Sequence, residues 1–252
     1  MTEHVRRVAS RAEVLVNSMA RILPNIGGTR YSKRRLMASV VNSVVLYGAP
    51  IWQRALQHKK YGERLEKVQR LVALRVCSAY RTVSTVALQV VGALIPIDHM
   101  VEERTTQYQQ GEGSASELRL QTVRLWQSRW DCEKERAQWR KRLIPSLEPW
   151  LGRKHGGEVT FHLTQCPTGH GVYGSYLKRT GRRDMEMCWY CRELDTPEYT
   201  MFQCARWATK RTEAETATGV ELNAENVVEV MLRGQTEWDA VGRFLTEVMR
   251  QK

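Results

Sequence analysis

The sequence predicts a mainly α protein, built as a helical bundle followed by a basic helix, a small zinc-knuckle-like module and C-terminal helices. Three observations carry this. Apolar residues recur at three- and four-residue steps over most of the chain. Prolines and paired glycines punctuate those runs, and one short stretch, CWYCRELDTPEYTMFQC from Cys188 to Cys204, concentrates three cysteines. β-branched residues are common in the early runs, but the helical period outweighs local strand propensity.

The elements follow in order. Val5, Val8, Ala12, Leu15, Val16, Met19, Ile22 and Leu23 form one helical face. PNIGGTRYS then breaks the chain, and Ser32 is placed to cap a second helix reaching Tyr47, with Leu36, Met37, Val40, Val41, Val44 and Val45 on its faces. Gly48 and Pro50 interrupt it, and IWQRALQHKK adds a turn or two. A third helix spans about Gly62 to Ala79, a short one Thr82 to Val91, and another starts at Pro96. QQGEGSAS, residues 109–116, reads as a flexible linker between residues 1–108 and 117–252.

Beyond it a single long helix is expected from Ser116 to Leu143. Val123, Trp126, Trp130 and Ala137 lie on one side, and Arg119, Arg124, Arg129, Lys134, Arg136, Arg140, Lys141 and Arg142 over much of the rest. Interleaved tryptophans and arginines suit stacking on bases and pairing with phosphates; the same pattern also suits core tryptophans under a solvated charged face. Pro145 and Pro149 end this helix and open a turn-rich region, after which helices return near 205–216, 226–232 and 237–249.

Lysine and arginine exceed aspartate and glutamate by 39 − 27 = +12, which points to a polyanionic partner, most simply nucleic acid. Six cysteines in 252 residues, three of them in one motif, do not form the pattern of a secreted disulfide framework and fit a reducing intracellular compartment. No apolar run is long enough for a transmembrane helix, so no membrane partner is expected. Phosphate-loop, H-E-x-x-H and G-x-S-x-G motifs are absent, and no two of the five aspartates are adjacent to hold a metal pair. The chain by itself is expected to catalyse nothing.

The stretch ILPNIGGTRYSKRRLMASVVNSVVLYGAPIWQRAL resembles the helical segment that follows the polymerase palm in non-LTR retrotransposon reverse transcriptases. TGHGVYGSYLKR with CWYCRELDTPEYTMFQCARW is similar to the C-terminal cysteine-rich module of the type-1 elements that insert into ribosomal DNA, and VVEVMLRGQTEWDAVGRFLTEVM is similar to their tail. The resemblance implies a C-terminal fragment of a Pol polyprotein: a thumb-like part over 1–108, the linker at 109–116, and over 117–252 a basic helical region with the cysteine module. The parent would be an RNA-directed DNA polymerase with an endonuclease, working by target-primed reverse transcription in the nucleus at the site of integration. Its Mg2+-binding aspartates would lie in the palm, which is not in this sequence and would be a partner of it. A stand-alone helical nucleic-acid-binding protein, or a relic copy, is the competing reading.

A thumb grips the sugar–phosphate backbone without reading bases. Arg30, Lys33, Arg34 and Arg35, at the start of the second helix, are candidates for that contact. Around the cysteine module Lys178, Arg179, Arg182, Arg183, Arg192, Arg206, Lys210 and Arg211 are candidates for contact with element RNA or target DNA. Related modules run C-x-x-C, seven or eight residues, His, four residues, Cys; here Tyr199 stands at the histidine position. One structural zinc on Cys188, Cys191 and Cys204 is the metal reading, with His170, His162, Cys166 or water as fourth ligand. A module that no longer holds metal, and three cysteines serving as small core residues, stay open beside it.

Overall fold

Helix α1 (Thr2–Ala20) buries Val5, Ala9, Ala12 and Val16, an i, i+4, i+7, i+11 stripe that needs an apolar partner. Two further helices supply it. α2 (Tyr31–Leu46) turns Ala38, Val41 and Val45 inward, α4 (Lys59–Val76) turns Leu65, Val68, Val72 and Val76 inward, and all three pack on one another. Between them α3 (Ala49–Trp52) starts at Gly48, whose φ of 62° is left-handed, and runs into a 3-10 turn (Gln53–Gln57). The computed structural model describes residues 2–24, 26, 28–111, 115–133, 137–153 and 157–252.

Ser84 caps α5 (Thr85–Val91), its hydroxyl accepting from the Ala87 amide at 3.3 Å. Gln69 joins α4, α5 and the start of α6 (Ile97–Gln110). Its Oε1 accepts from Gln89 Nε2 at 2.8 Å and the Ile97 amide at 3.0 Å, while its Nε2 donates to the Ile95 carbonyl at 2.7 Å. A buried amide making three such hydrogen bonds holds three elements in one register.

α7 (Ala115–Asp131) packs on α6, with Trp126 and Trp130 at 2 % and 1 % exposure. These tryptophans are core and not a base-stacking surface. Arg119 pairs with Glu103 and Arg129 with Asp98, so part of the helix's charge is already neutralised. The single helix expected from 116 to 143 is two helices: α7 ends at Asp131 and α8 covers Gln138–Leu143. After Trp130 no apolar residue falls three or four positions on, and the buried stripe resumes only at Ala137. Lys134 and Arg136 lie outside the described residues, as do 112–114 of the 109–116 stretch.

The chain divides into two compact units, residues 1–79 with 84–134, and 80–83 with 135–252. The division thus comes after α7, later than the glycine- and serine-rich stretch suggests. In the second unit α10 (Phe161–Thr168), α12 (Ala208–Thr218) and α13 (Val227–Arg233) pack on α14 (Gln235–Gln251), which buries Trp238, Val241, Leu245 and Val248. α9 (Leu147–Gly152) stacks Trp150 on Trp238 at 5.8 Å. The region expected to be turn-rich therefore carries short helices, including α11 (Gly174–Arg179). The fold is mainly α; among the described residues β pairing is limited to one antiparallel bridge, Met187 to Leu194. No single helix among them is long and apolar enough to cross a membrane.

Arg34 corrects the expected phosphate grip. It is 5 % exposed, and its guanidinium donates to the carbonyls of Thr29, Arg75 and Pro24 at 2.7, 3.1 and 3.0 Å. It is a clamp that ties Pro24 and Thr29 to the end of α4. Arg34→Ala should therefore lower the stability of α2 and α4 by about 2–3 kcal/mol, because three half-buried carbonyls lose a charged donor. Lys33→Ala, on the exposed side, should change it by less than about 0.5 kcal/mol. Hydrogen exchange of the α2 and α4 amides checks both.

Candidate metal centre and nucleic-acid interface

The cysteine module is built on a hairpin and a π turn. Met187 and Leu194 bridge, the Cys188 amide donates to the Glu193 carbonyl at 2.7 Å, and the Arg192 amide donates to the Cys188 carbonyl at 3.1 Å. Arg192 closes the turn at φ 64°, a left-handed conformation uncommon for a side-chain-bearing residue. Thr196 then starts a helical segment, accepting from the Tyr199 amide at 3.1 Å with Pro197 directly after it. The segment widens into a π turn over Tyr199–Gln203, closed by the Cys204 amide on the Tyr199 carbonyl at 2.8 Å. That wide turn sets Tyr199 and Cys204, five residues apart, on the same side.

Cys188, Cys191 and Cys204 place their sulfurs together, all within 4.8 Å of one another, in a group able to hold a metal ion. Cys191 Sγ lies 3.6 Å and Cys188 Sγ 4.0 Å from Cys204 Sγ. Three thiolates at ~2.3 Å around a tetrahedral ion stand ~3.8 Å apart, so these separations fit a metal, and they are far too long for a disulfide. Outer partners are present as well. The amides of Ala205 and Arg206 hydrogen-bond the Cys191 thiol, and that of Arg206 also the Cys204 thiol, which favours the thiolate forms.

Tyr199 fills the side from which a histidine would reach. Its hydroxyl hydrogen-bonds Cys191 and lowers that thiol's pKa, while burial and then the neighbouring sulfurs push the phenol's own pKa up. Burial pushes the Cys204 thiol up to about 12. A phenol held in its neutral form is a poor metal ligand.

The candidate fourth ligands are elsewhere. Among the described residues the metal-capable group comprises the three cysteines without His170, His162 or Cys166. His170 Nδ1 contacts the Thr168 carbonyl at 2.7 Å, its ring lies 4.9 Å from that of Tyr176, and burial lowers its pKa. It is a turn residue, between Gly169 (φ 65°), which ends α10, and Gly171 (φ 128°). Cys166 is buried in α10, with its thiol pushed up to about 12 by that burial.

What seats the module is a residue that sequence reasoning missed. Asp195 is 1 % exposed. Its Oδ2 accepts from the Gly174 amide at 2.8 Å, and its Oδ1 from Thr200 Oγ1 at 2.6 Å and from Lys252 Nζ. Its backbone accepts from the Ser175 amide and donates to the Glu186 carbonyl. One carboxylate so joins the start of α11, the hairpin, the π turn and the end of α14. Gly174 is required there, because a Cβ would stand 2.7 Å from the Glu186 carbonyl oxygen.

The basic candidates divide by their surroundings. Arg30, Lys33 and Arg35 are exposed at the start of α2, Arg35 leaning on the Tyr31 ring at 5.8 Å. Around the module Lys178 pairs with Glu186 and Lys210 with Glu247. Arg211 reaches towards the carbonyls of Met201 and Cys204 at 3.4 Å. Arg179 covers Tyr176 at 5.5 Å, Arg183 covers Trp189 at 4.3 Å, and Arg206 covers Tyr190 at 3.5 Å; Arg182 and Arg192 are exposed.

Relatives of known origin resemble this sequence. The chain is 26 % identical over 277 residues to a protein named as the putative 115 kDa protein in type-1 retrotransposable element R1DM of Drosophila melanogaster, covering 99 % of this chain and 26 % of the relative. It is 22 % identical over 272 residues to a Pol polyprotein of type-1 element R1 2 of Nasonia vitripennis, covering 99 % of this chain and 66 % of that protein. Its homologues are R1-type retrotransposon Pol proteins. The chain spans about a quarter of the first of these relatives and just under two thirds of the second. No family model and no solved structure matches it. The likeness to the R1-type proteins runs through both units, so the helices before the module belong to it as much as the cysteines do.

Proposed function

We propose that this chain is the C-terminal part of an R1-type Pol protein and serves target-primed reverse transcription by binding nucleic acid. In this reading residues 1–108 are thumb-like and hold primer–template beside the palm, with Arg30, Lys33 and Arg35 on the phosphate backbone. The 117–252 region contacts element RNA or target DNA through the module and its arginines. The reading is carried by the R1-type likeness over 99 % of the chain, together with a net charge of +12. Polymerase chemistry and its Mg2+ belong to the palm, and nicking of the target to the endonuclease, both in the parent protein.

Zinc is the metal we assign to Cys188, Cys191 and Cys204, since three clustered thiolates favour a soft-tolerant ion without redox chemistry. A zinc there would be held by Cys188 and Cys191 of the hairpin and Cys204 after the π turn, and would cross-link the two. Water would close the fourth position, because His170, His162 and Cys166 lie outside the metal-capable group and the Tyr199 hydroxyl hydrogen-bonds Cys191.

Affinity for nucleic acid should fall steeply with salt. Contact with about five phosphates of a single strand predicts a loss of about 100-fold between about 50 and 200 mM salt, by release of condensed counterions. A fluorescence-anisotropy titration of the full chain at several salt concentrations measures the slope, and a flat response would sink the proposal.

A further inference from the structure

Two large aromatic side chains stand exposed on the cysteine turn. Of the eight tryptophans, Trp52, Trp126, Trp130, Trp150, Trp207 and Trp238 are buried, Trp139 is half-buried, and Trp189 is 69 % exposed. Its neighbour Tyr190 is 64 % exposed. Both are the intervening residues of C-x-x-C, so their backbone is pinned at each end by a clustered cysteine. Exposed aromatic surface of this size, fixed on a rigid turn, has a use outside the fold.

Each ring already carries a guanidinium on one face. Arg183 Cζ lies 4.3 Å from the centre of the Trp189 ring, with Arg183 Nη2 tied to the Met187 carbonyl at 2.8 Å. Arg206 Cζ lies 3.5 Å from the Tyr190 ring and 4.8 Å from that of Trp207. The Arg206 amide meanwhile hydrogen-bonds the thiols of Cys191 and Cys204. One residue thus fixes both the sulfur cluster and the cation behind Tyr190. A guanidinium stacked on a ring withdraws electron density from it and still presents N–H groups at its edge, where phosphate oxygens can be met.

We propose that Trp189 and Tyr190, backed by Arg183 and Arg206, form a stacking platform for the unpaired bases of a single-stranded nucleic acid. The proposal rests on the nucleic-acid reading above and names the class of ligand within it. Charge selects nucleic acid over an apolar protein surface: of the five acidic residues between Arg182 and Arg206, Glu186, Asp195 and Glu198 pair with Lys178, Lys252 and Arg142, which leaves Asp184 and Glu193 against Arg182, Arg183, Arg192 and Arg206. Strandedness follows from the rings themselves. Base faces in a duplex are covered by their neighbours, and only an unpaired base can offer one to an exposed indole or phenol.

The test uses the full chain and labelled oligonucleotides of about twelve nucleotides, as single-stranded RNA, single-stranded DNA and the matching duplex. Trp189→Ala and Tyr190→Ala should each lose about 5- to 150-fold in affinity for single strands, the range alanine substitution gives per stacked base. Duplex affinity should stay unchanged, and Trp189→Phe should stay near the parent protein. The RNA and DNA arms report which strand the platform serves. Since both side chains are exposed, circular dichroism should match the parent protein in every variant. Unchanged single-strand affinity in the alanine variants, or equal loss on duplex, overturns the platform while leaving salt-dependent binding intact. Absence of any binding by the unmutated chain overturns the nucleic-acid reading and the platform together.

Discussion

Cys188→Ser is expected to release zinc from a chain that otherwise carries about one ion. The three sulfurs stand 3.6 and 4.0 Å apart where these distances are measured from Cys204, so loss of one leaves two thiolates and no closed shell. Loss of a mere outer partner typically weakens a metal site by about 10–100-fold, and loss of a ligand from a site of three should exceed that. Tyr199→His goes the other way. An imidazole reaching from the π turn would complete a Cys3His set and tighten binding, while Tyr199→Phe removes only the hydrogen bond to Cys191 and should weaken it by at most about 10–100-fold. Elemental analysis gives the stoichiometry, and competition with a chelating dye, backed by the cobalt–thiolate absorption, ranks the variants. Metal-free purified protein, or a Tyr199→His variant no tighter than the parent, would overturn the assignment.

Asp195→Ala should lower the stability of the second unit by about 3–5 kcal/mol, the range for removing one partner of a buried ion pair. The substitution strands the Lys252 ammonium and the Gly174 amide, and it frees the Thr200 hydroxyl. Pairing Asp195→Asn with Lys252→Met should recover much of the loss, because the stranded charge goes with its partner. Hydrogen exchange of α10 and α14 reads the second unit without assuming that both units unfold together. A drop below about 1 kcal/mol would show that the carboxylate is dispensable.

Most helices were legible because burial and helical period coincide. Val5, Ala9, Ala12 and Val16 face one way in α1, and Trp238, Val241, Leu245 and Val248 in α14, as their spacing requires. The break after Trp130 was also written in the sequence, as a lapse in the apolar stripe under an unbroken charged surface. Arg34 had a readable signal too: it lies four, seven and eleven residues before Ala38, Val41 and Val45, on the buried stripe of α2. Its neighbours Lys33 and Arg35 share its charge but not that register.

Other features had no local signature. The tryptophans of α7 and Trp189 are the same residue type among similar arginines, and only packing separates the two buried rings from the exposed one. His170 sits between glycines at a place where a ligand was plausible, yet its imidazole is held at Thr168 and Tyr176. Asp195 stands in a helix-start sequence, which says nothing of Lys252, 57 positions away.

By itself, then, the sequence determined the helical class, the cysteine spacing, the basic balance and the R1-type likeness, because each depends on residue order and composition. Tertiary structure decided which cations face solvent, that Tyr199 meets Cys191, and that Asp195 seats the module. Those outcomes depend on acceptors and rings contributed by distant segments, and a side chain's charge or aromaticity is the same before and after they arrive.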